Sequence, residues 1–405
     1  MNILLVNKFF YPKGGGEYSL FRSSDVLQKK GHEVMYFSMQ HPRNVKTEYE
    51  KYFISNVDYE KSGFINEIKC SLRLLYSFEA RKNIDKLLRH KRPDIAHLHN
   101  IYHQISPSIL HSLKKYKVPI VMTLHDYKIV CAVYVLLSGG KICEACKNGK
   151  YYNCLFNKCV KDSRLKSILN TFEMFLHHKI LHIYNLVDVF ISPSIFLKDK
   201  IREMGFHGKI MHLPNFVNLE EYKPQYHWQE NSIVCFGRVS REKGLFTLIE
   251  AMKGLNIHLK IIGEGPIKES LEARVGSWGL DNIRFTGYKS GEELKDEIRK
   301  SMFVILPSEW YENNPLSIIE GFALGKPAIG ARIGGIPELI KENETGLTFE
   351  SGNAEDLKAK ILQLSNNSAE IGRMGRNARR KAEEEFNTDI YYEKLINIYK
   401  VALNN

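Results

Sequence analysis

Short apolar runs alternate with stretches of helical spacing along the chain. Ile3–Val6, Glu33–Phe37, Ile95–Leu98, Ile120–Leu124, Val189–Ser192 and Lys209–Leu213 read as buried strands. Residues 17–29, 64–90, 163–186 and 194–204 carry the helical period, and Gly31 stands where a helix-ending glycine belongs. From Pro214 to Asn231 the pattern lapses into polar residues with two prolines, the composition of a linker. It restarts with strands Ile233–Phe236, His258–Ile262, Ile283–Thr286 and Phe303–Leu306, with helices over 244–253, 266–277, 291–300 and 315–324. Helical pattern then fills 353–403 with no further strand. Strands that alternate with crossover helices form parallel sheets.

This order predicts an α/β chain of two facing Rossmann-like domains. The first covers 1–213, with a cysteine-rich insert at 139–160. The linker is 214–231 and the second domain 232–386. A last helix, 387–405, is expected to pack back on the first domain. Ligands of such sheets bind beyond the C-terminal strand ends, so two facing units imply a cleft.

A length of 405 residues fits more than one domain. The longest apolar run, Ile129 to Leu137, has nine residues, whereas a membrane span needs about 20. The opening MNILLVNKFF lacks a basic leader and reads as a first strand, so a cytoplasmic setting is expected. Charge is uneven. Residues 1–225 hold 34 Lys and Arg against 20 Asp and Glu, a net of +14, and the remainder nets −2. Basic halves seek phosphates. Without a nucleic-acid-binding signature, an anionic membrane surface or a lipid-linked substrate fits better than nucleic acid. Phe64–Arg92, where Lys69, Arg73, Arg81, Lys82, Lys86 and Arg89 interleave with apolar residues, is a candidate docking stretch.

Residues 307–340 hold the densest chemistry. Asn313 or Asn314 can cap a helix whose first residue is Pro315, and Gly325 can end it. Free amides near Leu316 and Ser317 would then meet an anion. Glu312 and Glu320 flank this turn, so one carboxylate can address hydroxyls near the phosphates and the other a ribose. Arg238 and Lys243 follow the first strand of the second domain, where two cations can neutralise a departing diphosphate. The chain has no D-x-D, a carboxylate pair that can hold a metal on a diphosphate, which favours metal-independent chemistry. Gly263 and Glu264, with Tyr288 at the next strand end, suit a flat base read by backbone groups.

In the first domain, Gly15 and Gly16 in the loop Lys13–Glu17 let backbone approach a phosphate or sugar. His99, Asn100 and His125 lie at predicted strand ends and suit sugar hydroxyls, with His99 and Asn100 as candidate acceptor-side residues. His97 and His99 are expected on opposite strand faces, against a shared metal. Cys143, Cys146, Cys154 and Cys159 have spacings compatible with a structural zinc, with free thiols as the alternative.

On the pair Glu312 and Glu320, with Gly325, Pro327, Gly334–Gly335, Glu338 and Gly346, the sequence resembles the family-four retaining glycosyltransferases of the GT-B fold. FGRVSREKG (236–244), IIGEGP (261–266), FTGY (285–288) and KGGGE (13–17) extend the resemblance over nearly the whole chain. It implies a nucleotide diphosphate sugar donor and Arg238 and Lys243 at the diphosphate. It also implies His125 near the donor sugar and front-face transfer to a glycan or lipid-linked hydroxyl. Two alternatives share this architecture: a non-catalytic nucleotide- or glycan-binding support subunit, and a nucleotide-sugar epimerase.

Overall fold

Val-, Ile- and Leu-rich runs become the strands of two six-stranded parallel sheets. The structure is a computed structural model that describes residues 1–57 and 64–404, without the side chains of residues 64–69. The first sheet contains β1 (Asn2–Val6), β2 (Glu33–Phe37), β3 (Ile95–Leu98), β4 (Ile120–Thr123), β5 (Val189–Ser192) and β6 (Ile210–His212), in the order β2-β1-β3-β4-β5-β6. The second contains β7 (Ser232–Phe236), β8 (His258–Ile262), β9 (Ile283–Gly287), β10 (Val304–Leu306), β11 (Ala328–Ala331) and β12 (Gly346–Phe349), in the order β9-β8-β7-β10-β11-β12. In β1, Ile3, Leu4, Leu5 and Val6 are all buried, the pattern of a strand covered on both faces. Each order reverses beside the first strand of its half, the switch point where such sheets place ligands.

The chain divides into two compact units. The first comprises Met1–Gly139, Cys143–Leu213 and Tyr392–Asn405, and the second Gly140–Ile142 and Pro214–Tyr391. Pro214–Asn231, expected as a linker, therefore belongs to the second unit. Phe216, Val217 and Tyr222 are buried there, and the Val217 N–H donates to the Phe386 carbonyl at 3.0 Å.

Three expectations of regular structure change. Strands β11 and β12 lie where no strand was expected. Both are short, and their Ala and Gly residues carry little strand preference. The helical stretch 64–90 is two helices, Phe64–Leu75 and Phe78–His90, because the Ser77 hydroxyl accepts the Ala80 N–H and starts a new one. The stretch 353–403 is three helices, Ala354–Ser365, Ser368–Glu385 and Thr388–Leu403. Asn353 and Asn367 cap the first two. No helix among the described residues is long and apolar enough to cross a membrane.

Candidate functional site

In the second unit the strand ends deliver a charged cluster. The loop after β7 carries exposed Arg238 and then the turn Arg241–Lys243. That turn is fixed to the segment after β10 by the Glu309 N–H, which donates to the Glu242 carbonyl at 2.9 Å. Lys243 Nζ then lies 2.5 Å from Glu312 Oε1 and 5.4 Å from the centre of the Trp310 ring. The Ser308 hydroxyl donates to the same Glu312 oxygen at 2.6 Å. Burial pushes the Glu312 carboxyl up. The Lys243 charge and the hydrogen bonds from Lys243 and Ser308 outweigh this and hold it below the usual carboxylate range.

Gly334 explains how Glu312 is placed. Its φ is +60°, and an added Cβ would stand 2.4 Å from the Glu312 carbonyl oxygen and 2.5 Å from its nitrogen. Only glycine lets the two backbones meet at this distance. The next amide, Gly335 N–H, donates to the Glu312 carbonyl at 2.7 Å.

The helix expected to start at Pro315 is Leu316–Ala323, and Pro315 is its N-cap residue with extended ψ of 118°. Neither asparagine caps it. Asn314 instead accepts the Asn215 N–H on its Oδ1 and the Asn215 side-chain amide on its carbonyl, each at 2.8 Å. The first turn, with Leu316 and Ser317, thus has no side-chain cap. Glu320 lies within this helix and accepts from the Tyr222 hydroxyl at 3.1 Å. Gly325 follows the helix with φ +75°. Gly263 and Glu264 follow β8, and exposed Tyr288 follows β9. The Gly263 N–H donates to the Gly287 carbonyl at 2.8 Å, and Glu264 receives Lys268 at 2.8 Å.

In the first unit the strand ends carry a mostly neutral cluster. The Asn7 side chain, just past β1, donates to Glu17 Oε1 at 3.2 Å, and its Oδ1 accepts the Asn100 N–H at 3.0 Å. A Cβ on Gly16 would stand 2.6 Å from Asn100 Nδ2 and 3.8 Å from the His125 ring, so Gly16, Asn100 and His125 converge. Gly15 has open space around it. His99 Nδ1 lies 2.8 Å from His125 Nε2. The His97 and His99 rings stack with centres 4.5 Å apart. The expectation of opposite faces is therefore corrected: residues two apart on a strand share a face. His97 is engaged by the hydroxyls of Tyr399 at 2.8 Å and Thr123 at 2.7 Å. Burial drives His97 to about 3 and His125 to about 4, with the Lys8 charge assisting at His125, and pushes His99 well down.

Sequence reading did not single out Lys8 and Asp126. Burial lowers the Lys8 amine despite the attraction of Asp126 and Glu17, and burial raises the Asp126 carboxyl. Their positions just past β1 and β4 were the available signal.

Cys143, Cys146, Cys154 and Cys159 line one small cavity of about 10 Å3 together with Cys131, a fifth thiol absent from the sequence expectation. Cys131, Cys143, Cys146, Cys154 and Cys159 form no disulfide. The paired Cys154 thiol and a Ser138 hydrogen bond bring Cys159 down to about 7, against burial, while burial and the neighbouring thiols push Cys146 up to about 12. Among the described residues, no group of three or more His, Cys, Asp or Glu side chains is arranged to hold a metal ion.

Residues 13–221 match the model described as Glycosyltransferase Family 4, and residues 220–381 the model Glycosyl transferases group 1. An uncharacterized 42.6 kDa protein in the cps region of Klebsiella pneumoniae is 28% identical over 365 residues, covering 84% of this chain and 88% of its own. An uncharacterized glycosyltransferase of Methanocaldococcus jannaschii is 31% identical over 52% of this chain. An amylovoran biosynthesis glycosyltransferase of Erwinia amylovora is 32% identical over 41%. The chain spans only 57% and 44% of the length of these last two. Among solved structures, Anabaena HepE in complex with UDP and glucose superposes with a TM-score of 0.70 at 15% identity, covering 99% of both chains. That likeness is one of fold, GT-B.

Proposed function

Because the chain belongs to Glycosyltransferase Family 4, we propose that it carries a hexosyl or deoxyhexosyl group from a nucleoside diphosphate sugar to a hydroxyl of a glycan or lipid-linked acceptor, retaining the anomeric configuration. The observation that carries this reading is the Lys243–Glu312 pair, held at 2.5 Å in the same unit as the uncapped helix Leu316–Ala323. A diphosphate offers Lys243 a stronger anionic partner, and the freed Glu312 carboxylate can accept hydrogen bonds from sugar hydroxyls. The helix amides and Arg238 then stabilise the charge that grows as the leaving group departs. Glu320 addresses the ribose.

In this reading the bond from the anomeric carbon to the phosphate oxygen breaks, and its electron pair stays with the diphosphate. The new bond forms from the acceptor oxygen on the same face, and the acceptor proton passes to the departing phosphate. His125, His99, Asn100, Gly15 and Gly16 would meet sugar hydroxyls. No catalytic metal is invoked. The UDP bound to HepE supports a nucleotide donor, and the amylovoran relative supports a setting in surface polysaccharide synthesis. A cytoplasmic site of action belongs to this proposal.

The test is incubation with a panel of UDP, GDP and dTDP sugars, with and without lipid-linked acceptors. Transfer, or slow donor hydrolysis, supports the reading. Inversion at the sugar ring with no transfer would favour an epimerase, and nucleotide binding with no turnover a support subunit. For the cysteines we propose a structural zinc outside the reaction, with free thiols as the alternative: five thiols share one cavity, but they are not arranged as a metal site and would have to draw together around the ion.

A further inference from the structure

The helix Arg164–Phe175 in the first unit is turned inside out. Its buried side chains are Ser167, Asn170, Glu173 and Met174. Its exposed ones include Leu165 at 77%, Ile168 at 48%, Phe172 at 47% and Phe175 at 48%. These four recur at spacings of three and four, so they form one stripe along a single face. The neighbouring short helix Asn153–Phe156 packs beside this one and adds Phe156, 72% exposed. A surface helix ordinarily presents its apolar stripe to the core. Contiguous apolar patches on a protein surface mark interaction sites.

The polar inner face prevents the helix from rolling over. Glu173 is fully buried and accepts from Lys128 Nζ at 2.6 Å, and Lys128 itself is only 1% exposed. The Ser167 hydroxyl accepts the Val160 N–H at 3.1 Å, and the Thr171 hydroxyl donates to the Tyr151 carbonyl at 3.2 Å. One turn further on, His177 Nε2 bonds the Leu75 carbonyl at 2.7 Å. Hiding the stripe would break a buried ion pair.

Charge identifies the occupant. Residues 141–180 contain eight Lys or Arg and three Asp or Glu. Glu173 is consumed by Lys128, and Glu144 by Lys200 at 2.8 Å. Asp162 is the acid left exposed, among exposed Lys158, Lys161, Arg164, Lys166 and Lys179. A second copy of the chain, docked through the same face by a twofold axis, would set these cations against each other. An anionic bilayer offers an apolar interior for the stripe and headgroup charge for the rim.

We propose that the first unit docks on anionic lipid through the face made by Leu165, Ile168, Phe172, Phe175 and Phe156. This deepens the lipid-linked acceptor reading but is separable from it, because vesicle binding needs neither donor nor acceptor. The docking stretch expected at Phe64–Arg92 is a separate surface, where Leu72 and Phe78 are exposed. There Ile84, Leu87 and Leu88 are buried, and Arg73 is buried against Ser55 and Glu79. The side chain of Lys69 lies outside the described residues.

The experiment is co-sedimentation of the full chain with phosphatidylglycerol–phosphatidylcholine vesicles and with phosphatidylcholine alone. Wild type should bind the anionic vesicles and release with salt. The triple variant Leu165→Ser, Phe172→Ser, Phe175→Ser should lose vesicle affinity by about tenfold or more. Its thermal midpoint and UDP binding should stay unchanged, which separates docking from misfolding and from failure of the transfer reading. As a second readout, Phe172→Trp should shift its emission to the blue on anionic vesicles. Wild-type affinity in the triple variant, or no spectral shift, overturns the proposal. So does a dimer in light scattering that the triple variant abolishes while vesicles bind neither protein.

Discussion

The strand ends of the two units differ in how they treat their ionisable side chains. Past β7 and β10, the second unit keeps its carboxylate ionised by setting Lys243 and the Ser308 hydroxyl on Glu312. Around the ends of β3 and β4, the first unit keeps His97, His99 and His125 uncharged by burying them. A site of fixed, paired charges is prepared for a ligand that changes its own charge, such as a departing diphosphate, because the stabilising groups need not reorganise. A site of neutral rings is prepared for hydroxyls, which exchange hydrogen bonds without net charge. In the proposed reaction, leaving-group chemistry falls to the second unit and sugar orientation to the first.

The largest effect expected from this contrast lies in the charged cluster. Lys243→Ala and Arg238→Ala should each lower turnover by about a hundredfold or more, as loss of a preorganised stabiliser does. Lys243→Ala has a second consequence that Arg238→Ala lacks. It strands Glu312, only 7% exposed, without its partner, which costs about 3 kcal/mol of stability. Chemical unfolding of the two variants should therefore differ, and equal stability would mean that the pair does not organise the unfilled site.

Next in size comes the backbone that positions the carboxylate. Gly334→Ala forces a side chain into a left-handed position against the Glu312 backbone. Transfer should fall by about tenfold or more, since misplacement of a catalytic group by about 1 Å costs that much. A variant with wild-type activity would detach Glu312 from the proposed chemistry.

Glu320→Ala should act more gently. A ribose contact is made equally in ground and transition states, so donor and nucleotide affinity should weaken while turnover at saturation holds. Calorimetry with the nucleoside diphosphate beside steady-state kinetics separates the two. For the thiols, elemental analysis of protein purified without added metal should find close to one zinc per chain, and brief chelation should spare transfer. Metal-free, well-folded protein would rule the zinc out.

Much of this was legible in the alternation of strands and helices and in the spacing of Glu312 and Glu320. What escaped shares a physical cause. β12 is the sequence GLTF, and Gly346 is there because any Cβ would stand 1.9 Å from the Ala328 carbonyl oxygen. That is a tertiary constraint with no local strand preference behind it. Lys8 belongs to no motif, and separate strand ends bring it and Asp126 into one electrostatic environment. The stripe Leu165, Ile168, Phe172 and Phe175 was readable as a helical face. Periodicity reveals that a stripe exists but not on which side the core lies, and here a buried Lys128–Glu173 pair decides it.

The smallest effect tests the neutral side of the comparison through pH. An ordinary histidine titrates near about 6.5, whereas His125 is held to about 4. From about pH 8 down to about pH 5, His125 should stay uncharged, and no step of transfer should follow a group titrating near about 6.5 in the first unit. His125→Gln, which keeps hydrogen bonding without titration, should leave the shape of the pH profile unaltered even where it lowers the rate. Stability should respond instead. Below about pH 6.5 the unfolded chain takes up protons that the buried rings refuse, so the unfolded state binds more protons and stability falls as pH falls. The loss runs from the unfolded value down through the depressed folded ones, about 4 for His125 and about 3 for His97. Thermal midpoints should therefore drop between about pH 7 and about pH 5, and His125→Gln should flatten that drop slightly. An acid limb near about pH 6.5 in transfer that His125→Gln removes would show a ring that charges in the working site, and the division between a neutral and a charged unit would fail.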